Sequence, residues 1–194
     1  MTRTVLLSGS DERVAEVAAV LRSAGAEVLA VEDPQQLAGV LTGLSPGALA
    51  GYVQLPVRLA VEGRSVVQRV RGFLEGGLLS RFDAAQAVLP LLADDARVVL
   101  VAGNTTRGGR DLPDDRAARL ALLEVLAHAL RADAGASGVR VTVLDQRSPD
   151  EIAAVALREV APLPDEVADL RRREDELSYD DWRTEVLGMA TVEV

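Results

Sequence analysis

The chain contains no cysteine and no lysine, a single histidine and a single tryptophan. Without cysteine there is no disulfide framework and no thiolate nucleophile, and His128 alone, with no Cys/His cluster around it, cannot form a zinc constellation. Without lysine there is no Schiff-base amine and no ammonium point charge of tunable pKa: all 21 basic residues are arginines, whose guanidinium stays charged across the working range of proteins. Aromatics are scarce, at 3 %, so the core must be aliphatic and finely interdigitated. The formal net charge of -9 repels nucleic-acid phosphates and anionic membranes, and no arginine cluster flanked by aromatics offsets it locally. Neither nucleic acid nor membrane is an expected partner. No apolar run approaches the length of a membrane span, and the first one, entered directly after Met-Thr-Arg, is too short for a secretory signal. A cytoplasmic location is expected.

The 194 residues fit one domain with a core that needs no staples. Strand and helix patterns alternate along them. Thr4 to Leu7 is a short β-type run closed by Ser8-Gly9-Ser10, after which Val14, Val17, Ala18, Leu21 and Ala24 recur at helical spacing until Gly25. Ala26 to Val31 reads as a second strand, and Asp33-Pro34 is a cap and first-turn proline opening a helix to about Leu41. Leu49 to Leu55 is a third strand. Ser65 to about Leu92 is helical with an interruption at Gly76-Gly77, Arg97 to Ala102 a fourth strand, and 103–115 a polar loop. Arg116 to Ala132 is a helix rich in Ala and Leu, Val139 to Leu144 a fifth strand, and Asp150 to Val160 a further helix. Such alternation implies an α/β, Rossmann-like, doubly wound parallel sheet in three layers. The expected division is a domain over 1–164 and a helical, charged C-terminal extension over 165–194.

The order of these segments resembles a shortened short-chain dehydrogenase/reductase. The resemblance is carried by Ala84-Ala85-Gln86-Ala87-Val88-Leu89-Pro90-Leu91-Leu92, then Arg97-Val98-Val99-Leu100-Val101-Ala102-Gly103, then Ala121-Leu122-Leu123-Glu124-Val125-Leu126-Ala127, then Gly138-Val139-Arg140-Val141-Thr142-Val143. Between Gly25 and Tyr52 there is room for one strand and one helix where the family has two of each, so part of the adenine-side sheet is expected to be missing.

The chemistry the resemblance implies is not supported by the residues at the matching positions. A dinucleotide pyrophosphate needs glycines where the backbone approaches it and a helix N-terminus aimed at the anion. The matching turn, Ser8-Gly9-Ser10-Asp11-Glu12-Arg13-Val14-Ala15, keeps one glycine, has Arg13 and Ala15 where later ones belong, and places two carboxylates in the first helical turn. Gly9, Ser10, Glu32 and Thr105 are the weak candidates for cofactor contact, with Glu32 or Asp33 in reach of a ribose hydroxyl and Asp33 better read as a cap. The family's tyrosine and lysine, which act as the proton donor and its tuning partner, fall on Arg116 and Leu120. Tyr52 lies in a strand and Tyr179 in the tail. The helper serine falls near Asn104 or Thr105. No catalytic residue, metal ligand or cofactor is therefore assigned.

Two readings of the remaining features stay open. Arg107 and Arg110, in the loop at the carboxyl edge of the sheet, could grip an anion or acyl ligand, or the loop is simply solvated and balanced by its own aspartates. His128 reads as a packed or interface residue. Leu120, Leu122, Leu123, Val125, Leu126 and Leu130 surround most of the 116–132 helix, so one face covers the sheet and another needs a partner. The resemblance implies dimerisation through that helix and the 66–92 helix. Candidate interface residues are Leu122, Leu123, Leu126, Leu130 and, in the tail, Trp182. The expected function is a non-catalytic member with a structural or regulatory role through homo- or hetero-oligomerisation, including pairing with an active reductase of the same fold. The alternatives are an atypical NAD(P)-dependent oxidoreductase and an anion- or acyl-binding module.

Overall fold

A computed structural model describes residues 3–9, 11–57, 65–103, 113–145 and 147–158. The chain divides into two compact units, Met1–Arg158 and Glu159–Val194, and the first carries every element described below.

Five parallel strands form one sheet: β1 (Thr4–Ser8), β2 (Glu27–Val31), β3 (Leu49–Gln54), β4 (Leu92–Val101) and β5 (Arg140–Leu144), in the order β2-β1-β3-β4-β5. Among the described residues β2 is an edge, so the expected shortening on that side is present. Parallel strands buried on both faces must be apolar almost throughout, and β1 and β3 obey this: Leu6, Leu7, Leu49 and Val53 are fully buried.

Helices cover both faces. On one side α1 (Asp11–Ser23) and α6 (Pro149–Leu157) bury Val14, Val17, Ala18, Leu21, Ile152 and Ala153 against Val5, Leu7, Val53 and Val99. On the other, α2 (Leu37–Thr42), α4 (Ser80–Val88) and α5 (Pro113–Ala134) pack onto Leu6, Tyr52, Val98 and Leu100. The strand period of two assigns neighbouring residues to the two cores. Each fully buried aliphatic side chain contributes on the order of 2 kcal/mol, so the two layers jointly hold the sheet.

Local signals explain the boundaries. Helix α1 stops at Gly25, whose φ of 87° suits glycine, with Ala26 N–H donating to Leu21 O and Gly25 N–H to Arg22 O, the paired bonds that close a helix on a left-handed residue. Asp33 accepts from Gln35 N–H, as its reading as a cap requires, and a 3-10 turn over Pro34–Gln36 precedes α2. Ser148 and Glu151 form a reciprocal capping box at the start of α6, with Pro149 in its first turn; together they satisfy helix-end N–H groups that would otherwise lack partners.

Two elements differ from the sequence expectation. Strand β4 begins at Leu92 rather than Arg97: Leu49 pairs with Leu92 and Gly51 with Arg97, so the residues between bulge out, and Asp95 takes a φ of 61°. The helical stretch from residue 66 is broken into α3 (Val66–Phe73), a π-helical turn (Leu74–Leu79) and α4. The anticipated interruption at Gly76-Gly77 is thus a widened turn, not a break. The charged tail expected over 165–194 lies outside the described residues.

Candidate functional site

Open α/β sheets present ligand sites beyond the carboxyl ends of their strands, where the strand order reverses. Here the reversal lies between β1 and β3, so the residues to examine are those at the ends of β1, β3 and β4. Register pairs Ser8 with Gln54 and Leu6 with Tyr52. The strand period then puts Ser8, Tyr52 and Gln54 on the same face, beneath α4.

These three side chains are linked. Ser8 Oγ and Tyr52 Oη are 2.8 Å apart, and Gln54 Nε2 donates to Tyr52 Oη at 3.0 Å and to Arg81 O at 2.9 Å. From α4, Arg81 donates through Nε to Gln54 Oε1 at 2.8 Å, and through Nη2 to Gln54 O at 3.2 Å and Val101 O at 3.0 Å. Arg81 thereby bridges the last residues of β3 and β4. Ser8, Tyr52 and Gln54 are buried, and a buried polar group left without a partner costs about 1–3 kcal/mol, which the network avoids.

Arg81 occupies a position that helical geometry reserves for the core. Arg81, Ala85 and Val88 stand at i, i+4 and i+7, and the latter two are buried against the sheet. Desolvation lowers its pKa to about 10, with the neighbouring Tyr52 acting in the opposite direction. Burial also pushes the Tyr52 hydroxyl up from its ordinary value, against weaker lowering by its hydrogen bonds to Ser8 and Gln54 and by the charge of Arg81. A phenol 1 % exposed and held in its protonated form is a structural hydrogen-bonding group, not an accessible acid.

In the turn after β1 the Gly9 N–H donates to Val31 O at 3.1 Å and the Leu55 N–H to Ser8 O at 2.8 Å. A β-carbon on Gly9 would stand 2.6 Å from the Leu55 β-carbon, so the glycine serves close packing of β1 against the end of β3. Arg13 donates from α1 to Arg147 O in the segment before α6, and Ala15 is exposed. Glu32, directly after β2, is exposed. Ser10, Thr105, Arg107, Arg110 and Trp182 lie outside the described residues, as do Asn104 and Tyr179. Among the described residues no cluster of three or more metal-ligating side chains occurs.

On α5 the candidate interface residues divide. Leu123, Leu126 and Leu130 are 1–3 % exposed and belong, with Ala127, to the core beneath α5. Their i, i+3, i+7 spacing is the sheet-facing stripe, so these three face the chain's own core and are not free for a partner. Leu122 is half-buried, His128 exposed, and Val125 is 69 % exposed. Leu120, at the position matching the family lysine, is half-buried against the core. The large exposed apolar residues of the described structure are Val67, Leu74, Leu79 and Val125, all on the α3–α4 stretch or on α5.

Sequence reasoning missed Gln54 and Arg81. A glutamine ending an apolar strand and an arginine four residues before a buried alanine were the available signals.

No family model matches the chain, and no curated protein matches it. Solved structures do. A doubly substituted short-chain dehydrogenase/reductase of Serratia marcescens aligns over 78 % of this chain and 86 % of its own, at 17 % identity and a TM-score of 0.52. BdcA from E. coli, solved in complex with NADPH, aligns over 78 % of this chain and 84 % of its own, at 13 % identity and a TM-score of 0.50. At these identities the likeness is one of fold: the chain has a short-chain dehydrogenase/reductase-like α/β architecture.

Proposed function

We propose that the chain is a non-catalytic protein of this architecture that acts through assembly, as a homo-oligomer or paired with an active reductase of the same fold. The observation that carries the non-catalytic half is the state of the carboxyl edge, where Gly9, Ser8, Tyr52 and Gln54 spend their hydrogen-bonding groups on one another and on neighbouring strands. The chemistry of proton donation is missing too, since no lysine exists to tune a tyrosine and Tyr52 is sealed in the core. BdcA was solved with NADPH, but the turn here has Arg13 and Ala15 where later glycines would let the pyrophosphate approach, and α1 opens with Asp11 and Glu12.

The assembly half rests on exposed apolar surface. Val67, Leu74, Leu79 and Val125 lie on the two helical stretches through which the resemblance implies dimerisation. On α5, Leu122, Val125 and Ala129 follow i, i+3, i+7 spacing, so a second apolar stripe lies apart from the one under the helix. The test is the mass in solution by light scattering, expected at twice the 20.5 kDa chain and expected to fall to one chain in Val125→Asp. A monomeric wild type that captures no related reductase would overturn the reading.

A further inference from the structure

Arginine at a sheet-facing helical position demands an explanation. Arg81 has five N–H donors in a fixed fork. Nε and Nη2 are used, on Gln54 Oε1, Gln54 O and Val101 O. Among the described residues Nη1 makes no hydrogen bond and no carboxylate pairs with the guanidinium. A largely desolvated cation with no counter-charge among the described residues is costly to keep, and such groups are normally paired or bound to an anion. Backbone carbonyls and a neutral amide spread the charge without cancelling it.

The position is the second observation. The guanidinium lies over the carboxyl ends of β3 and β4, beside the β1–β3 switch point beyond which open α/β folds hold small ligands. Arg81 is half-buried as a residue, so it is not shut off from solvent as Tyr52 is. Three of its bonds fix the fork from the protein side, which makes the side chain pre-organised instead of a flexible surface arginine.

We infer that Arg81 is an anion receptor at the carboxyl edge of the sheet, and that its ligand is a small monocarboxylate bound through Nη1. One guanidinium charge, with no carboxylate partner among the described residues, matches one negative charge. A dianionic phosphate would bring one negative charge more than the guanidinium matches. The ligand needs no glycine-rich turn and no edge strand beyond β2, so the features that disfavour a dinucleotide leave it unaffected. The inference is independent of the assembly reading, because its test reads ligand-dependent melting and not mass.

The experiment is thermal unfolding of the full chain in rising sodium acetate, with sodium chloride at matched ionic strength and inorganic phosphate as the other arms. Acetate is expected to raise Tm saturably, by about 5–10 °C at a hundred times its dissociation constant, with chloride giving no saturable rise. Arg81→Gln should abolish the shift, and Arg81→Lys, which keeps charge but loses the fork, should weaken apparent affinity at least about tenfold. Should Arg81→Gln not fold, guanidinium resonances of arginine-labelled wild type provide the readout: one arginine should shift with the same saturation. No saturable response to acetate, an unchanged response in a folded Arg81→Gln, or a stronger response to phosphate would each overturn the inference.

Discussion

The two ends of the sheet use the same residue in opposite ways. At the amino end Arg3, Arg97, Arg140 and Arg158 lie close enough to depress the pKa of Arg97, after the larger effect of its own desolvation. Arg3 and Arg158 are exposed, and Arg97 and Arg140 half-buried. Arg3 Nη1 donates to Leu157 O at 2.9 Å and Arg97 Nε to Arg158 O at 3.0 Å, so both bind carbonyls at the C-terminus of α6, where the helix dipole favours cations. At the carboxyl end Arg81 is drawn into the protein and bonded to three acceptors. Repulsion among four hydrated guanidinium groups is screened and cheap; desolvating one is not. The difference locates the part of the fold where a charge is kept despite its cost.

Substitution at each end should separate these roles. Arg81→Ala recovers the desolvation cost but leaves Gln54 Oε1 and the two strand-end carbonyls without their donor; losses of about 1–3 kcal/mol per buried group dominate, and urea unfolding should show a net loss of about 2–4 kcal/mol. Tyr52→Phe removes the hydroxyl shared by Ser8 and Gln54, and the same measurement should give about 1–3 kcal/mol. At the amino end Arg97→Ala should cost no more than about 1 kcal/mol, with the effect shrinking in high salt. An Arg97 effect equal to that of Arg81 would erase the distinction.

Next in size is the α6 cap, which orients the carbonyls that the amino-end arginines bind. Ser148→Ala should cost about 1 kcal/mol by urea unfolding. The smallest expected effect is a pH dependence. Hydrogen bonds from the Ser148 backbone and side chain hold the Glu151 carboxyl below its ordinary 4.5, with the charge of Arg147 adding to them. A depressed folded-state pKa means that the unfolded chain binds the proton more readily, so this contribution is present above about pH 4.5 and is lost as pH falls through the folded value. The stability difference between wild type and Glu151→Gln should therefore fade on acidification; a difference independent of pH would contradict the capping account.

How much of this was legible in the sequence depends on which physical signal each residue leaves. The alternation from Thr4 to Leu144 gave the parallel sheet because each buried strand and each helical stripe has its own period, as in Val14, Val17, Ala18 and Leu21. The shortening at β2 followed from the residues available between Gly25 and Tyr52. Arg81 was hidden because the π-helical turn at Leu74–Leu79 changes the phase of the helix just before it, and periodicity read through Gly76-Gly77 does not show which face an arginine takes. Tyr52 was visible as a strand residue, but its link to Ser8 depends on the β1–β3 register, which is tertiary. On α5 a helix apolar nearly all round does not reveal which leucines face its own sheet; the structure resolves this by burying Leu123, Leu126 and Leu130 and leaving Val125 outside.

The central proposal is that the turn after β1 does not accept a dinucleotide. Calorimetric titration of the purified chain with NADPH and NADH at millimolar concentration tests it most directly. The account predicts no saturable heat with either nucleotide. A saturating isotherm of micromolar affinity would contradict the account.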